Sequence, residues 1–155
     1  MNKIFFYILF FCFLQNCGFT PMYSQKNGNF NFIIESVDLE GDKFINNYIN
    51  VQLKKYSFVN NEKKFQIEIK TDYKKNITAK DLAGAATDFE LILNTNVKIN
   101  RIDDNNVEDV NLALTDSFNM KKNEDKFEED SYERLLKINL AASVYEKIIF
   151  NLSKL

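Results

Sequence analysis

Carboxylates are the main candidates for acid–base or metal chemistry in this 155-residue sequence, which has 22 acidic residues. Histidine is absent, which removes the usual proton shuttle at neutral pH and the commonest metal ligand. Carboxylates cluster at Asp103-Asp104 and at Glu128-Glu129-Asp130, in a predicted turn and a charged linker where we expect the acids to be solvated. We therefore predict no catalytic residue, no metal site and no cofactor. A carboxylate enzyme or calcium site is the alternative, and it requires a cleft that buries Glu68 and Glu90 together.

Cys17 has the most distinctive sequence surroundings. Lys3 precedes eleven apolar residues, 4 to 14, a pattern typical of a secretory signal peptide. Eleven helical residues rise about 16 Å, roughly half the 30 Å hydrocarbon core of a bilayer. Leu14 stands three positions before Cys17. This spacing indicates bacterial lipoprotein processing, in which the thiol is acylated and Cys17 becomes the first mature residue.

Two alternatives to lipidation stay open. Lipoprotein sites usually carry small residues just before the cysteine, whereas this chain has Gln15 and Asn16. The chain is then either an ordinary secreted protein cut nearby, with Cys17 as a free thiol, or an uncleaved anchored protein. We predict a signal peptide at 1–16, a lipidated tether at 17–29 and a single α+β domain at 30–155. Cys12 leaves with the signal peptide, so the domain depends on packing rather than disulfides.

The charge balance excludes one class of partner. The chain has 20 basic and 22 acidic residues, a net charge of −2. A nucleic-acid-binding domain of this size is expected to be strongly basic. We therefore predict no nucleic-acid partner.

Hydrophobic periodicity predicts four strands and two helices. Residues 65–72 and 89–100 alternate apolar and polar side chains, which favours half-buried strands. Phe44, Ile45 and Ile49 follow Asp42 at helical spacing, so Asp42 is a predicted N-cap and Asn46 falls on the exposed face. The other predicted elements are a strand at 30–39, polar turns at 74–76 and 103–106, an irregular rise at 81–86, a strand at 110–120 and a helix from Ser131.

The last helix carries a broad apolar stripe. Asp130 or Ser131 is its predicted cap, and the charged run 121–130 is a predicted linker. The predicted stripe consists of Tyr132, Leu135, Leu136, Leu140, Val144, Ile148, Ile149 and Leu152.

The predicted element order is β-α-β-β-β-α. Because polar residues repeat on one side of each middle strand, both helices are expected on one face of the sheet. The fold class is therefore α+β, with two helices packed on one face of a four-stranded mixed sheet. The opposite face is expected to be wet, rich in amides and hydroxyls, and low in net charge.

Residues 17–23, Cys-Gly-Phe-Thr-Pro-Met-Tyr, resemble the start of the mature chain in the LPS-assembly lipoprotein (LptE) family. That family's pattern is Cys-Gly-Phe-x-Pro-hydrophobic-Tyr. Two further regions are similar to the family. The first is 84–99, where a glycine, a stretch of small residues and a long strand follow one another, and the second is the C-terminal helix. The resemblance covers the mature chain and implies a domain of two helices and four strands.

The resemblance also implies a role without catalysis. Family members are lipid-anchored on the periplasmic side of the outer membrane and plug the β-barrel LptD, whose assembly they assist. They take part in lipopolysaccharide transport to the cell surface, can bind lipopolysaccharide and need no cofactor. A triacylated Cys17, palmitate included, supplies the several chains that lasting attachment requires. The rival is a freestanding periplasmic lipid carrier, which needs an internal cavity between sheet and helices.

Three lysines are candidates for lipopolysaccharide contact. Lys74, Lys75 and Lys80 flank a predicted strand connection at the tip of the domain. Ammonium groups bind phosphates and carboxylates as compact point charges. The alternative is that they lie in a solvated loop.

Mass spectrometry of the mature N-terminus tests the processing of Cys17. We expect a chain that begins at Cys17 and carries a diacylglyceryl group, because lipoprotein processing attaches that group to the cysteine sulfur through a thioether. An unmodified thiol or an intact Met1 contradicts the prediction.

Overall fold

The computed structural model describes residues 32–57, 63–102 and 109–155. The predicted signal peptide, the tether with Cys17 and the turn at 103–106 lie outside these ranges. The described elements are β1 (Ile33–Gly41), α1 (Lys43–Leu53) with a 3₁₀ turn (Lys54–Tyr56), β2 (Lys64–Lys80), β3 (Ala86–Arg101), β4 (Asp109–Lys121) and α2 (Lys126–Leu152).

The four strands form one mixed sheet in the order β1-β2-β3-β4. Strand β1 is parallel to β2, and the other neighbours are antiparallel. Because a parallel pair needs a crossover, α1 lies between β1 and β2 in the chain. The predicted fold class and element order are confirmed.

The core lies between the sheet and the two helices. Alternate residues of β2, Phe65, Ile67 and Ile69, are buried, and so are Leu91 and Leu93 of β3. The helices contribute Ile45, Ile49, Leu53, Leu136, Leu140, Ala141, Val144, Ile148 and Leu152. In the described part of the chain, no helix combines the length and apolarity needed to span a membrane.

Strand β1 keeps its apolar residues on one face by means of a β-bulge. Its register with β2 shifts between Ile34 and Ser36. Ile34 is buried and Val37 is half-buried on the same core, although three positions separate them. The extra residue at Glu35 restores the alternation after the shift.

Both helices begin at an aspartate cap. The predicted cap of α1 is confirmed, and the predicted cap of α2 is wrong. Asp42 accepts hydrogen bonds from the backbone N–H groups of Phe44 (2.9 Å) and Ile45 (3.0 Å), which confirms the first cap. Helix α2 begins at Lys126 with Asp125 as its cap, rather than at Asp130 or Ser131. The charged run becomes helical because its acids face the positive N-terminal end of the helix dipole.

The predicted turn at 74–76 lies too early in the chain, because these residues are part of β2. Lys74 and Asn76 pair with Ile92 and Glu90 as strand residues, and β2 continues to Lys80. The turn lies at 81–85, where one Asp81 carboxylate oxygen accepts hydrogen bonds from two backbone N–H groups of the turn. Continuous pairing with β3 overrides the polar composition of residues 74–76.

Two residues of the predicted α2 stripe face solvent. Tyr132 is 47% exposed and Leu135 is 51% exposed. The buried face instead runs from Glu129 through Leu136 and Leu140. Glu129 occupies an inward position because lysines neutralise its carboxylate there, so the helix is rotated away from the purely apolar stripe.

Asn46 is buried rather than exposed, which corrects the predicted face of α1. It is 7% exposed, and its Oδ1 accepts a hydrogen bond from Thr71 Oγ1 at 2.8 Å. The backbone N–H of Asp42 donates to the same hydroxyl at 3.1 Å. At Gly41 (φ +113°) a Cβ would lie 1.9 Å from the Thr71 carbonyl oxygen. The β1–α1 junction therefore packs directly on β2, and Thr71 satisfies its polar groups.

Thr95 provides a contrast with Thr71 at the same level of the core. The two residues are register partners on β2 and β3, and both are buried. Thr95 is 1% exposed, and its hydroxyl has no hydrogen-bond partner within the described residues. An unpaired buried hydroxyl loses its hydration without compensation.

These two threonines give opposite expected responses to the same substitution. Thr71→Val leaves the Asp42 N–H and the Asn46 side chain without a partner, so we expect the free energy of unfolding to fall by about 1–3 kcal/mol. Thr95→Val removes an unsatisfied hydroxyl at nearly equal volume, so we expect a gain of about 1 kcal/mol. Urea unfolding of both variants measures the two changes. An equal loss of stability in both variants would contradict the assignment of the Thr71 hydroxyl as bonded and the Thr95 hydroxyl as unpaired.

Candidate functional site

The face of the sheet that points away from the helices is hydrophilic and is called the outer sheet face here. Its residues alternate with the core residues along each strand. Those of β2, β3 and β4 are Gln66, Glu68, Lys70, Asp72, Lys74, Glu90, Ile92, Asn94, Asn96, Lys98, Asn111, Ala113, Thr115, Ser117 and Asn119. Ile92 and Ala113 are the apolar exceptions, and the sequence already indicated Ile92. The predicted wet face, rich in amides and hydroxyls, is present.

Two ion pairs lie on the outer sheet face. Lys70 lies 2.7 Å from Glu40, and Lys74 lies 2.8 Å from Asp72. The hydrogen bond from Lys70 and the attraction of its charge lower the pKa of Glu40, and the same contact raises the pKa of Lys70. Because these pairs are exposed, each stabilises the fold little. The face therefore presents many hydrogen-bonding groups and little net charge.

The structure separates the three candidate lysines. Lys74 points to the outer sheet face, whereas its neighbour Lys75 points to the helices, since successive strand residues face opposite ways. Lys80 is exposed at the end of β2, beside the hairpin turn. Five strand residues place it about 16 Å along β2 from Lys75. The lysines do not form one cationic cluster, and whether any of them contacts lipopolysaccharide stays a prediction.

Lys75 belongs to a network between β2 and the first turns of α2, called the lysine network here. Its Nζ lies 2.8 Å from Glu133 and 3.4 Å from Glu129, and 4.3 Å from the centre of the Phe89 ring. The Tyr73 hydroxyl donates to Glu133 at 2.9 Å. These contacts tie α2 to the sheet through charge-assisted hydrogen bonds.

The pKa directions agree with a charged network. Burial alone raises the pKa of Glu133, but hydrogen bonds from Lys75 and Tyr73 lower it overall. A hydrogen bond from Lys126 lowers the pKa of Glu129 against the opposing effect of burial. Burial and the bond to Glu133 raise the pKa of Tyr73. At neutral pH both carboxylates are therefore ionised and Tyr73 is a neutral donor.

The sequence contained a signal for this network. Tyr73 and Lys75 continue the alternation that begins at Phe65, so strict alternation places both on the helix side. The interpretation of residues 74–76 as a turn ended the pattern too early. Their acidic partners were not predictable, because Glu129 and Glu133 lie more than fifty residues away in the chain.

The β2–β3 hairpin turn and the start of α2 lie at the same end of the domain. The Lys122 N–H donates to the Thr87 carbonyl at 2.8 Å. A shallow groove of about 240 Å³ separates the two segments; it is lined by Asp81, Ala85, Ala86, Thr87, Lys122, Asn123 and Glu124. Leu82 is fully exposed in the turn. This end therefore combines Lys80 with an exposed apolar side chain and charges of both signs.

The structure does not bring Glu68 and Glu90 together. Glu68 is exposed opposite Lys98, and Glu90 is half-buried opposite Asn76. Within residues 32–57, 63–102 and 109–155, no group of three or more histidine, cysteine or acidic side chains is arranged to hold a metal ion.

Comparison with solved structures shows a shared fold. Rare lipoprotein B from Shewanella oneidensis gives a TM-score of 0.56 at 9% identity, over 77% of this chain and 94% of that protein. A protein designated a lipoprotein from Caulobacter crescentus CB15 gives 0.50 at 17% identity, over 78% and 88%. Neither protein family models nor curated proteins match the sequence. At these identities the likeness concerns the fold.

Substitution of Lys75 tests the lysine network. Lys75→Met leaves the half-buried Glu133 without its cation, so we expect the free energy of unfolding to fall by about 1–3 kcal/mol at neutral pH. The matched control is Lys74→Met on the outer sheet face, where an exposed pair contributes less than about 1 kcal/mol. Urea unfolding measures both changes.

The cost of Lys75→Met is expected to depend on pH. The folded pKa of Glu133 lies below its ordinary value of 4.5, so the stabilisation is complete above that value and is lost as the pH falls through the folded pKa. The difference between wild type and Lys75→Met should therefore shrink from about pH 7 to about pH 3. A difference that is constant or grows on acidification contradicts the network.

Proposed function

We propose that this protein is an outer-membrane lipoprotein that plugs the β-barrel LptD, assists its assembly and takes part in lipopolysaccharide transport. In this proposal Cys17 anchors the chain on the periplasmic side, and the protein catalyses no reaction. The observation that carries the proposal is the outer sheet face, which is polar along its strands and has little net charge.

A plug needs a surface that matches the inside of a barrel. Large outer-membrane barrels have polar interiors, and the amide and hydroxyl groups of the outer sheet face can exchange hydrogen bonds with such a wall. One example is the Thr115 hydroxyl, which donates to Asn94 at 3.0 Å across β3 and β4 and keeps further acceptor capacity. The two ion pairs also neutralise four of the charges that a closed lumen would enclose.

The packing between sheet and helices favours a plug over a lipid carrier. A carrier needs open space where the core lies. Leu91, Leu93 and Ile49 are fully buried there, and Phe44 and Phe89 pack against the same cluster. These side chains occupy the volume that an acyl chain requires.

The comparisons support the lipoprotein part of the proposal. Two solved structures with this fold carry lipoprotein names, and residues 17–23 have the cysteine-led pattern described above. The assignment to LptD and to lipopolysaccharide rests on the sequence resemblance and on the outer sheet face.

Lipopolysaccharide contact is assigned to the exposed lysines. Lys75 is held by two carboxylates, so binding a phosphate would break existing ion pairs. Lys80 lies beside the hairpin turn and is exposed, and Lys74 is paired with Asp72 in solvent. We therefore expect Lys80 to contribute more to anion contact than Lys75.

Affinity purification from detergent-solubilised outer membranes tests the proposal. We expect an outer-membrane barrel to co-purify with the chain. Lipid bound without a barrel supports the carrier instead, and recovery of the chain alone contradicts both.

A paired substitution localises the interface. Asn96 and Ala113 are exposed cross-strand partners on the outer sheet face, so Asn96→Arg with Ala113→Arg adds bulk and charge without entering the core. We expect co-purification of the barrel to fall about tenfold or more, since unpaired charges at a closed interface are costly. Unchanged thermal unfolding is the control for folding. Full retention of the barrel contradicts the assignment of this face.

A further inference from the structure

The two edges of the sheet differ in how they are protected. Natural edge strands are kept from pairing by bulges, prolines, short length or charges in the middle of the strand. Strand β1 has a bulge after Ile34 and acidic side chains at Asp38 and Glu40. Strand β4 pairs with β3 without a register shift from Asp109 to Lys121 and contains no proline. No described element pairs with its outer edge.

The one charge inside β4 is already neutralised. Asp116 points to the helix side, where Lys147 Nζ lies 2.6 and 2.7 Å from its two oxygens and Ser143 donates at 3.1 Å. The carboxylate is therefore drawn toward α2 and does not oppose an incoming strand. The remaining charges, Asp109 and Lys121, stand at opposite ends of the strand.

We propose that a second copy of this chain pairs antiparallel with the free edge of β4 and forms a two-fold symmetric dimer with a continuous eight-stranded sheet. The pairing uses all 13 residues of β4 and is centred on Thr115. Isologous contacts of this kind are the usual basis of homodimers.

Charge complementarity supports a second copy as the occupant. In the pairing centred on Thr115, Asp109 of each copy lies opposite Lys121 of the other, so the dimer gains two ion pairs by symmetry. Opposite charges directly across a strand pair stabilise it, and like charges destabilise it.

Most of the remaining cross-strand pairs are alike in polarity. On the helix side, Leu112 lies opposite Phe118, which is 37% exposed in the single chain and becomes covered. On the outer sheet face, Asn111 lies opposite Asn119, and the small side chains of Ala113 and Ser117 face each other. The pair that differs in polarity is Leu114 with Asp116, whose carboxylate is already bound by Lys147.

The dimer is a state of the chain outside the barrel, because a barrel that encloses the domain leaves no room for a second copy at the edge of β4. Failure of the dimer would therefore leave the proposed plug unaffected.

Cysteine cross-linking of the purified full chain in detergent tests the register. Directly opposed strand residues have Cα atoms about 4.5–5.5 Å apart, within disulfide range, so Thr115→Cys should form a covalent dimer on mild oxidation. Asn111→Cys is the matched control, because the two copies of residue 111 are about 27 Å apart. Asn111→Cys combined with Asn119→Cys should cross-link again.

The chain without an added cysteine controls for Cys12 and Cys17. Dimer formation by Thr115→Cys no greater than in this parent overturns the proposal. Cross-linking of Asn111→Cys as efficient as that of Thr115→Cys, or cross-linking of Thr115→Cys to a different protein, also overturns it.

A charge exchange tests the same pairing without cysteines. Asp109→Lys or Lys121→Asp places like charges opposite each other at both ends of the strand pair, and we expect the dimer dissociation constant to rise about tenfold. Both substitutions in one chain restore the complementarity and should restore the affinity. Analytical ultracentrifugation in detergent measures the dimer dissociation constant of the unsubstituted chain, the two single variants and the double variant. Unchanged dissociation of the single variants, or no recovery in the double variant, contradicts the pairing.

Discussion

The burial of apolar side chains between one face of the sheet and two helices is the interaction on which the rest of this structure depends. Leu91 and Leu93 of β3 and Ile49 of α1 are fully buried there. Because both helices cover the same face, the other face of every strand is left to water. The one-sided core thus produces both the stability of the domain and the hydrophilic surface assigned to its function.

Polar side chains on the helix side of the sheet form ion pairs or hydrogen bonds with partners from other elements. Lys75 meets Glu133 near the start of α2, and Asp116 meets Lys147 further along the same helix. Thr71 satisfies the junction between β1 and α1. These contacts connect residues far apart in the chain, so they fix how the helices lie on the sheet as well as neutralising charge. Thr95 remains an exception in the middle of the core.

The two faces and the edges of the sheet offer different kinds of contact. The outer sheet face offers side-chain amides and hydroxyls, which suit a polar wall. The free edge of β4 offers backbone N–H and C=O groups, which suit another strand. The two surfaces therefore use different groups of β4, and the domain inside a barrel and the proposed dimer are alternative states.

The sequence by itself determined the elements, their order and the two-layer fold, because alternation and helical spacing directly record which face of each element avoids water. It also determined the Asp42 cap, which is a local interaction. The tertiary structure decided the placement of Asn46 and Glu129, and it supplied the acidic partners of Lys75, whose side of the sheet the alternation of β2 indicates. Each is a polar residue whose burial depends on a distant partner, Thr71 for the first and the lysine network for the others. No local pattern specifies such partners, so the position of a polar side chain between sheet and helices emerged only when the layers were packed together.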